Sequence, residues 1–258
     1  MALFRVMMIG DVVGQAGCEH VRRVLPPFKR ERGVDLVIAN GENSAEGNGL
    51  LPSSARHLYD SGVDVITTGN HALRRRESYE LYQSGGPLLR PANFHPSAPG
   101  QGYYLYDALR FEVCILNLQG LTYMSPNANP FETADLLLRE HPARITIVDF
   151  HAEATSEKIA MGHYLDGRVS LVAGTHTHVP TADERILPGG TGYITDLGMV
   201  GGLNSILGVK QQPVIQRFIT GLPVRFENDK EDCQLCGILA EIDAETGKTT
   251  KIERVLLK

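Results

Sequence analysis

The chain has 258 residues, of which 42% are apolar and 21% charged, and its formal net charge is -5. This composition excludes a disordered chain, and the length allows a large core, so residues 1–258 are expected to form one domain. The only basic block is Arg74-Arg75-Arg76, which argues against general nucleic-acid binding, and apolar runs such as Val6 to Ile9 are too short to span a membrane.

The N-terminal apolar run, Leu3 to Ile9, leads straight into Gly10-Asp11 with no small-residue cleavage site. It reads as a first core strand of a protein expected in the cytoplasm. Cys18 to Arg32 has Val21, Val24, Leu25 and Phe28 at helical spacing. Pro26-Pro27 is expected to break or kink that helix midway. Leu36 to Ala39 reads as a strand, Pro52 to Ser61 as a helix, Val63 to Thr67 as a strand and Glu77 to Gln83 as a short helix.

Tyr103 to Tyr106 and Phe111 to Leu118 read as strands, followed by a polar loop, Thr122 to Asn129. Phe131 to Glu140 is helical, Arg144 to Phe150 a strand, Glu153 to His163 a helix and Val169 to Ala173 a strand. Beyond that the chain turns β-rich, with strands at Ile186, Tyr193-Ile194, Cys236 to Ile242 and Thr249 to Leu257. Strand-helix units come first and antiparallel strands last. That order favours an α/β fold with a mixed sheet, or two packed sheets, over a purely parallel one. Four cysteines are too few for a disulfide scaffold, and Cys233/Cys236 lacks a second ligand pair for zinc. The pair is read as part of a strand.

Metal-type side chains collect at the ends of five apolar strands. They are Asp11 after VMMIG, Glu42 and Asn43 in NGEN, Asn70 and His71 in TTGNH, His151 after ITIVDF, and His176 and His178 in GTHTH. In open α/β sheets ligands bind beyond the carboxyl ends of the strands, so neighbouring strands would bring the clusters together. Taken singly, each has a plainer explanation. Asp11 could cap a helix, Glu42-Asn43 and Asn70-His71 could be turns, and His151 could be a core histidine. GDVVGQAG does not match the glycine spacing of a dinucleotide loop. His176 and His178, two apart, are expected to point the same way from an extended segment. His20, His57, His95, His141 and His163 have no partner cluster and read as surface or structural.

Oxygen and imidazole donors suit iron, manganese, zinc or magnesium. Six or seven donors exceed one tetrahedral ion and match two ions sharing a bridge. Such ions, ~3.5–4 Å apart, can clamp the attacking and leaving oxygens of a phosphate. Two divalent ions, two carboxylates and one hydroxide leave roughly one positive charge to attract a phosphate ester.

At these residues the sequence resembles a known family. GNH followed by GTHTH is similar to the calcineurin-like metallophosphoesterases. GDVVG, NGEN, TTGNH, DFHAEATSEK and GTHTHVPTADE, in that order, resemble the YmdB branch, from the first strand to about Gly208. The resemblance implies a four-layer αββα sandwich, two mixed sheets flanked by helices. It implies a first ion on Asp11, Glu42, Asn43 and His178, and a second on Glu42, Asn70, His151 and His176, with Glu42 bridging. His71 would be the general acid. Iron leads the implied metals, with manganese, zinc or magnesium as alternatives. The implied reaction is phosphodiester hydrolysis, with 2′,3′-cyclic AMP or a related cyclic nucleotide as substrate, by a hydroxide bridging the metals.

Two positions depart from the superfamily. Val13 replaces the histidine of a D-x-H motif, with Asn43 as the substitute ligand, and Ala72-Leu73-Arg74 follows GNH where relatives often carry an aromatic and an acidic residue. Asp149, Glu153 and Asp196 are candidates for orienting ligand histidines. The rival readings are an amidohydrolase barrel, which the β-rich last third disfavours, a phosphomonoesterase on the same scaffold, and a regulatory nucleotide- or partner-binding protein with weak turnover. For the last, Leu121 to Pro130 and Gly198 to Gly208 are candidate lids or partner surfaces. A homo-oligomer is expected because symmetric oligomers are common.

Overall fold

The computed structural model describes residues 3–258. In chain order, β1 (Leu3–Ile9) and β2 (Asp11–Val12) lead into α1 (Gly14–Arg32). Then come β3 (Leu36–Asn40), α2 (Pro52–Asp60), β4 (Val65–Thr67) and α3 (Tyr79–Gln83). The middle holds β5 (Tyr103–Asp107), β6 (Glu112–Gln119), α4 (Pro130–Glu140), β7 (Ile145–His151), α5 (Thr155–Leu165) and β8 (Leu171–Thr175). The last group is β9 (Arg185–Ile186), β10 (Gly192–Ile194), β11 (Met199–Gly202), α6 (Gln211–Thr220), β12 (Cys233–Asp243) and β13 (Thr249–Leu257).

The strands form two mixed sheets. The first runs β2-β11-β12-β1-β3-β4, with β13 also on β12, and the second β5-β6-β7-β8-β10-β9. Within the first, β1, β3 and β4 are mutually parallel; within the second, β6, β7, β8 and β10 are. Side-chain alternation along β1 explains how the sheets stack. Phe4, Val6 and Met8 pack between the sheets with Ile115 and Ile147, whereas Met7 and Ile9 face outward. The outer face of the first sheet is covered by α1 and α2 through Val21, Leu25, Ala55 and Leu58. The second sheet is covered by α4 and α5 through Ala134, Leu137, Met161 and Leu165. Strands buried on both faces need continuous apolar runs, which VMMI, LVIA and ITIV supply. The result is the expected αββα layering. No helix among the described residues is long and apolar enough to cross a membrane.

Three elements differ from the expectations. The first helix is unbroken from Gly14 to Arg32 with both prolines inside it. The carbonyls they leave without amide donors are those of Arg22 and Arg23, residues on the exposed face of the helix, while Val21 and Leu25 stay packed on the sheet. α6 lies in a stretch, between Ile194 and Cys236, to which no helix was assigned from the sequence. It buries only Val214 among its described residues and leaves Phe218 83% exposed. The Gly-rich stretch starting at Gly198 is partly a strand, β11, rather than a free loop. Cys233 and Cys236 do lie on a strand, β12, and both are free thiols.

Candidate metal centre

The carboxyl ends of β1, β3, β4, β7 and β8 meet at one cleft between the sheets, and the structure brings all eight expected residues together there. The Nε2 of His151 lies 3.2 Å from Glu42 Oε1, 3.0 Å from Asn70 Oδ1 and 3.0 Å from His176 Nδ1. One ring nitrogen carries at most one hydrogen, so it cannot satisfy three such neighbours by hydrogen bonding alone. A second group adjoins the first. His178 Nε2 is 3.7 Å from Asp11 Oδ1 and 3.1 Å from the Asn43 amide, which is itself 3.4 Å from Glu42 Oε1. His71 sits at the edge, with its Nδ1 2.8 Å from Asn43 Oδ1 and its backbone N–H donating to Glu42 Oε2 at 3.0 Å. Gly69 permits this closeness, because a Cβ there would lie 2.0 Å from the His151 ring.

Each of the three histidines that point inward is held by its other nitrogen. His151 Nδ1 donates to Thr175 Oγ1 at 2.9 Å, and the Thr175 hydroxyl donates to Asp149 Oδ1 at 2.7 Å. Asn40 Nδ2 and the Thr67 hydroxyl donate to the other Asp149 oxygen. His176 Nε2 donates to Glu153 Oε2 at 3.0 Å. His178 Nδ1 donates to the Leu207 carbonyl at 3.1 Å. Each bond fixes a hydrogen on the outer nitrogen and turns the inner one toward the cleft, where a metal could take the place of a proton.

His176 and His178 do not reach the cleft as expected. β8 ends at Thr175, and both histidines adopt positive φ, 106° and 64°, which an extended segment does not contain. These left-handed turns aim His176 at His151 and His178 at Asp11. Non-glycine residues resist such angles, so the loop needs outside support. Buried Asp196 supplies it. Its Oδ2 accepts from the Thr177 backbone at 3.1 Å, the Thr177 hydroxyl at 2.8 Å and Lys158 Nζ at 2.6 Å. Its Oδ1 accepts from the Gly198 backbone at 2.8 Å.

Of the three candidate orienting residues, Glu153 touches its histidine directly, Asp149 acts through Thr175, and Asp196 holds the residue between two histidines. Sequence reasoning missed Asn40, Thr67, Lys158, Thr175 and the Leu207 carbonyl. Thr175 and Lys158 stand inside GTHTH and DFHAEATSEK, so the motifs marked their neighbourhood without marking their roles. A backbone carbonyl leaves no sequence signal.

Electrostatics and composition both suit cations here. Burial pushes Asp11 up to about 6, against the pull of His178 and His151. Burial would also raise Glu42, but His151 beside it holds it down to about 2. Burial would lower His151, but Glu42, Asp11 and Asp149 lift it to about 9. Burial, then the neighbouring His151, push His176 down to about 3. The buried Asp11 Oδ1 has no hydrogen-bond partner among the described residues. The donor atoms of Glu42, His151 and His176 lie within 4.8 Å of one another, close enough for one ion to touch all three. Oxygen and imidazole donors fit a borderline or hard divalent metal. The cleft above them is about 290 Å³. Larger cavities of about 660 and 500 Å³ lie between α1 and the segment before and into β12, away from the eight residues.

A model of the YmdB-like protein family matches residues 7–255. The 2′,3′-cyclic-nucleotide 2′-phosphodiesterase of Bacillus subtilis is 46% identical over 98% of this chain and 97% of its own length. The crystal structure of a protein described as a novel phosphatase of Mycoplasma pneumoniae is 37% identical, covers all of this chain and 94% of that one, and superposes with a TM-score of 0.94. A candidate 5′-nucleotidase from Staphylococcus aureus, 13% identical, shares the fold with a TM-score of 0.62 over 98% of this chain and 54% of its own.

Proposed function

The chain belongs to the YmdB-like family, and on that premise we propose that it is a phosphodiesterase acting on nucleoside 2′,3′-cyclic phosphates at a two-metal centre. The observation that carries this reading is the set of three histidines, each anchored through one nitrogen with the other turned toward buried carboxylates. Asp11, Glu42, Asn43 and His178 would hold one ion. Asn70, His151 and His176 would hold the other, with Glu42 shared. Asn43 Oδ1 accepts from the His71 Nδ1–H, and its second lone pair would be the one offered to an ion. Iron or manganese suits this mixture of carboxylate, amide and imidazole. Ions bound there lower the pKa of water and neutralise charge on the phosphoryl oxygens.

Water then adds its oxygen to phosphorus, the P–O2′ bond breaks, and O2′ takes up a proton. His71 is placed to give that proton. It lies at the rim of the cleft, its backbone is fixed by Glu42, and its Nδ1 is engaged by Asn43, which leaves Nε2 to face substrate. Burial lowers its pKa, against the opposing pull of Glu42, so the protonated ring is a stronger acid than a free imidazole.

The first test is hydrolysis of 2′,3′-cyclic AMP, a nitrophenyl diester and a nitrophenyl monoester by chelated protein given back iron, manganese, zinc or magnesium. Diester hydrolysis that requires added metal is expected. Faster turnover of the monoester would favour a phosphatase on the same scaffold. His71→Ala should cost ~10²–10⁴ in kcat on 2′,3′-cyclic AMP while metal content is unchanged. The nitrophenolate leaving group needs little protonation, so an equal loss on that diester would remove His71 from the acid role.

A further inference from the structure

The metal cleft has an apolar neighbour. A second cavity, about 240 Å³, adjoins it and shares two residues with it, His178 and Leu207. Its floor is the end of the first sheet. Val200 packs into the core under α1, so Met199 and Gly201 face the opposite way, and Gly201 pairs with Gln234 of β12. Val179, Pro180, Leu203 and Leu207 line the cavity as well. Val179, Leu203 and Leu207 are 56%, 47% and 48% exposed, which gathers three open aliphatic side chains around one hollow. Isolated exposed aliphatics are ordinary, whereas a cluster lining a concave site indicates a ligand surface. None of the described lining residues is Asp, Glu, Lys or Arg.

We propose that this cavity is the nucleobase subsite of the centre, holding the base against Val179, Pro180, Leu203 and Leu207. The inference rests on the cyclic-nucleotide reading above. In a 2′,3′-cyclic nucleotide only the ribose ring separates phosphate from base, so a phosphate at the metals puts the base in an adjoining cavity. The hollow is smaller than the ~300–1,000 Å³ of a typical small-molecule pocket and suits one planar ring system. An uncharged lining suits a neutral base. Gln234 brings an amide that both donates and accepts, which matches the mixed edge of a base. Gly201 keeps the floor flat. A Cβ there would meet Val13 at 3.5 Å and the Met199 sulfur at 3.6 Å, ordinary contacts that leave room for a larger side chain. Leu207 also joins the two sites, since its carbonyl fixes His178 while its side chain walls the cavity.

The test is calorimetric titration of manganese-loaded protein with adenosine 3′-phosphate and with methyl riboside 3-phosphate, which lacks only the base. The nucleotide should bind at least about tenfold more tightly, a modest return for burying a base. Gly201→Leu should erase that difference and leave methyl riboside 3-phosphate within about twofold of its original affinity. Should Gly201→Leu fail to fold, the exposed Leu203→Ser variant should weaken nucleotide binding alone. Equal affinity for the two ligands, no binding of the nucleotide, or a base effect that survives both substitutions would overturn the subsite. Base-dependent binding by a protein that hydrolyses no cyclic nucleotide would keep the subsite and overturn the proposed reaction instead.

Discussion

At the floor of the cleft, His151 is fully buried and fixed through Thr175 to Asp149, an acid that accepts three side-chain hydrogen bonds. At the mouth, His176 is fixed by Glu153, 48% exposed, and His178 by the carbonyl of the half-exposed Leu207. All three histidines are oriented by the same chemistry, a hydrogen bond donated by the nitrogen that faces away from the cleft. What differs is the medium. Hydrogen bonds in a buried network are strengthened by low dielectric and cannot be replaced by water, whereas an exposed acceptor competes with solvent. The floor therefore fixes geometry, and the mouth can yield to substrate.

The largest effect should come from Glu42, the carboxylate proposed to be shared by both ions. Glu42→Ala removes the neighbour of His151, the acceptor of the His71 backbone N–H and the proposed bridge at once. Elemental analysis should find both ions lost and hydrolysis undetectable. A variant that kept two ions would break the assignment of Glu42 as the bridge. Next is Lys158→Met, which strands Asp196 in the core without its cation. Removing one partner of a buried pair costs ~3–5 kcal/mol, and denaturant unfolding should show a loss of that size. A loss below about 1 kcal/mol, the level of an exposed pair, would place Lys158–Asp196 with the mouth rather than the floor.

The contrast between floor and mouth also explains what the sequence could convey. The apolar strands and their polar ends were legible because the two-faced burial of a sheet and the ligand chemistry both restrict residue type. Asp11, Glu42, Asn43, Asn70, His71, His151, His176 and His178 could therefore be singled out as one candidate cluster before the fold was seen. The supports were less legible. Lys158 lies on a helix and Asp196 follows β10, and nothing in either local pattern says that they meet 38 residues apart. Thr175 reads as one more strand residue until His151 is placed beside it. The positive φ of His176 and His178 is enforced by Asp196 through Thr177, so no local propensity encodes it.

Smaller still should be Thr175→Val, which keeps the shape of the side chain and removes the hydroxyl linking His151 to Asp149. Losing such a support typically costs 10–100-fold in metal affinity, so chelator competition should show a weakening on the order of tenfold or more. The fold should survive with a loss of about 1–3 kcal/mol, the cost of leaving the buried His151 N–H without its acceptor.

The smallest effect should come from Glu153→Gln, and it decides whether the comparison holds. The amide oxygen of glutamine can still accept the His176 Nε2–H, so the tautomer is preserved and only the carboxylate charge is lost. At an exposed position that charge is worth about 0.2–1 kcal/mol, which corresponds to a change in metal affinity of no more than about fivefold. The change should shrink further in high salt, which screens the exposed pair but not the buried Asp149 network. If Glu153→Gln instead weakened metal as much as Thr175→Val, with no salt dependence, exposure would not set the strength of these supports. His176 would then be held as firmly as His151, and the mouth of the cleft could not yield to substrate as proposed.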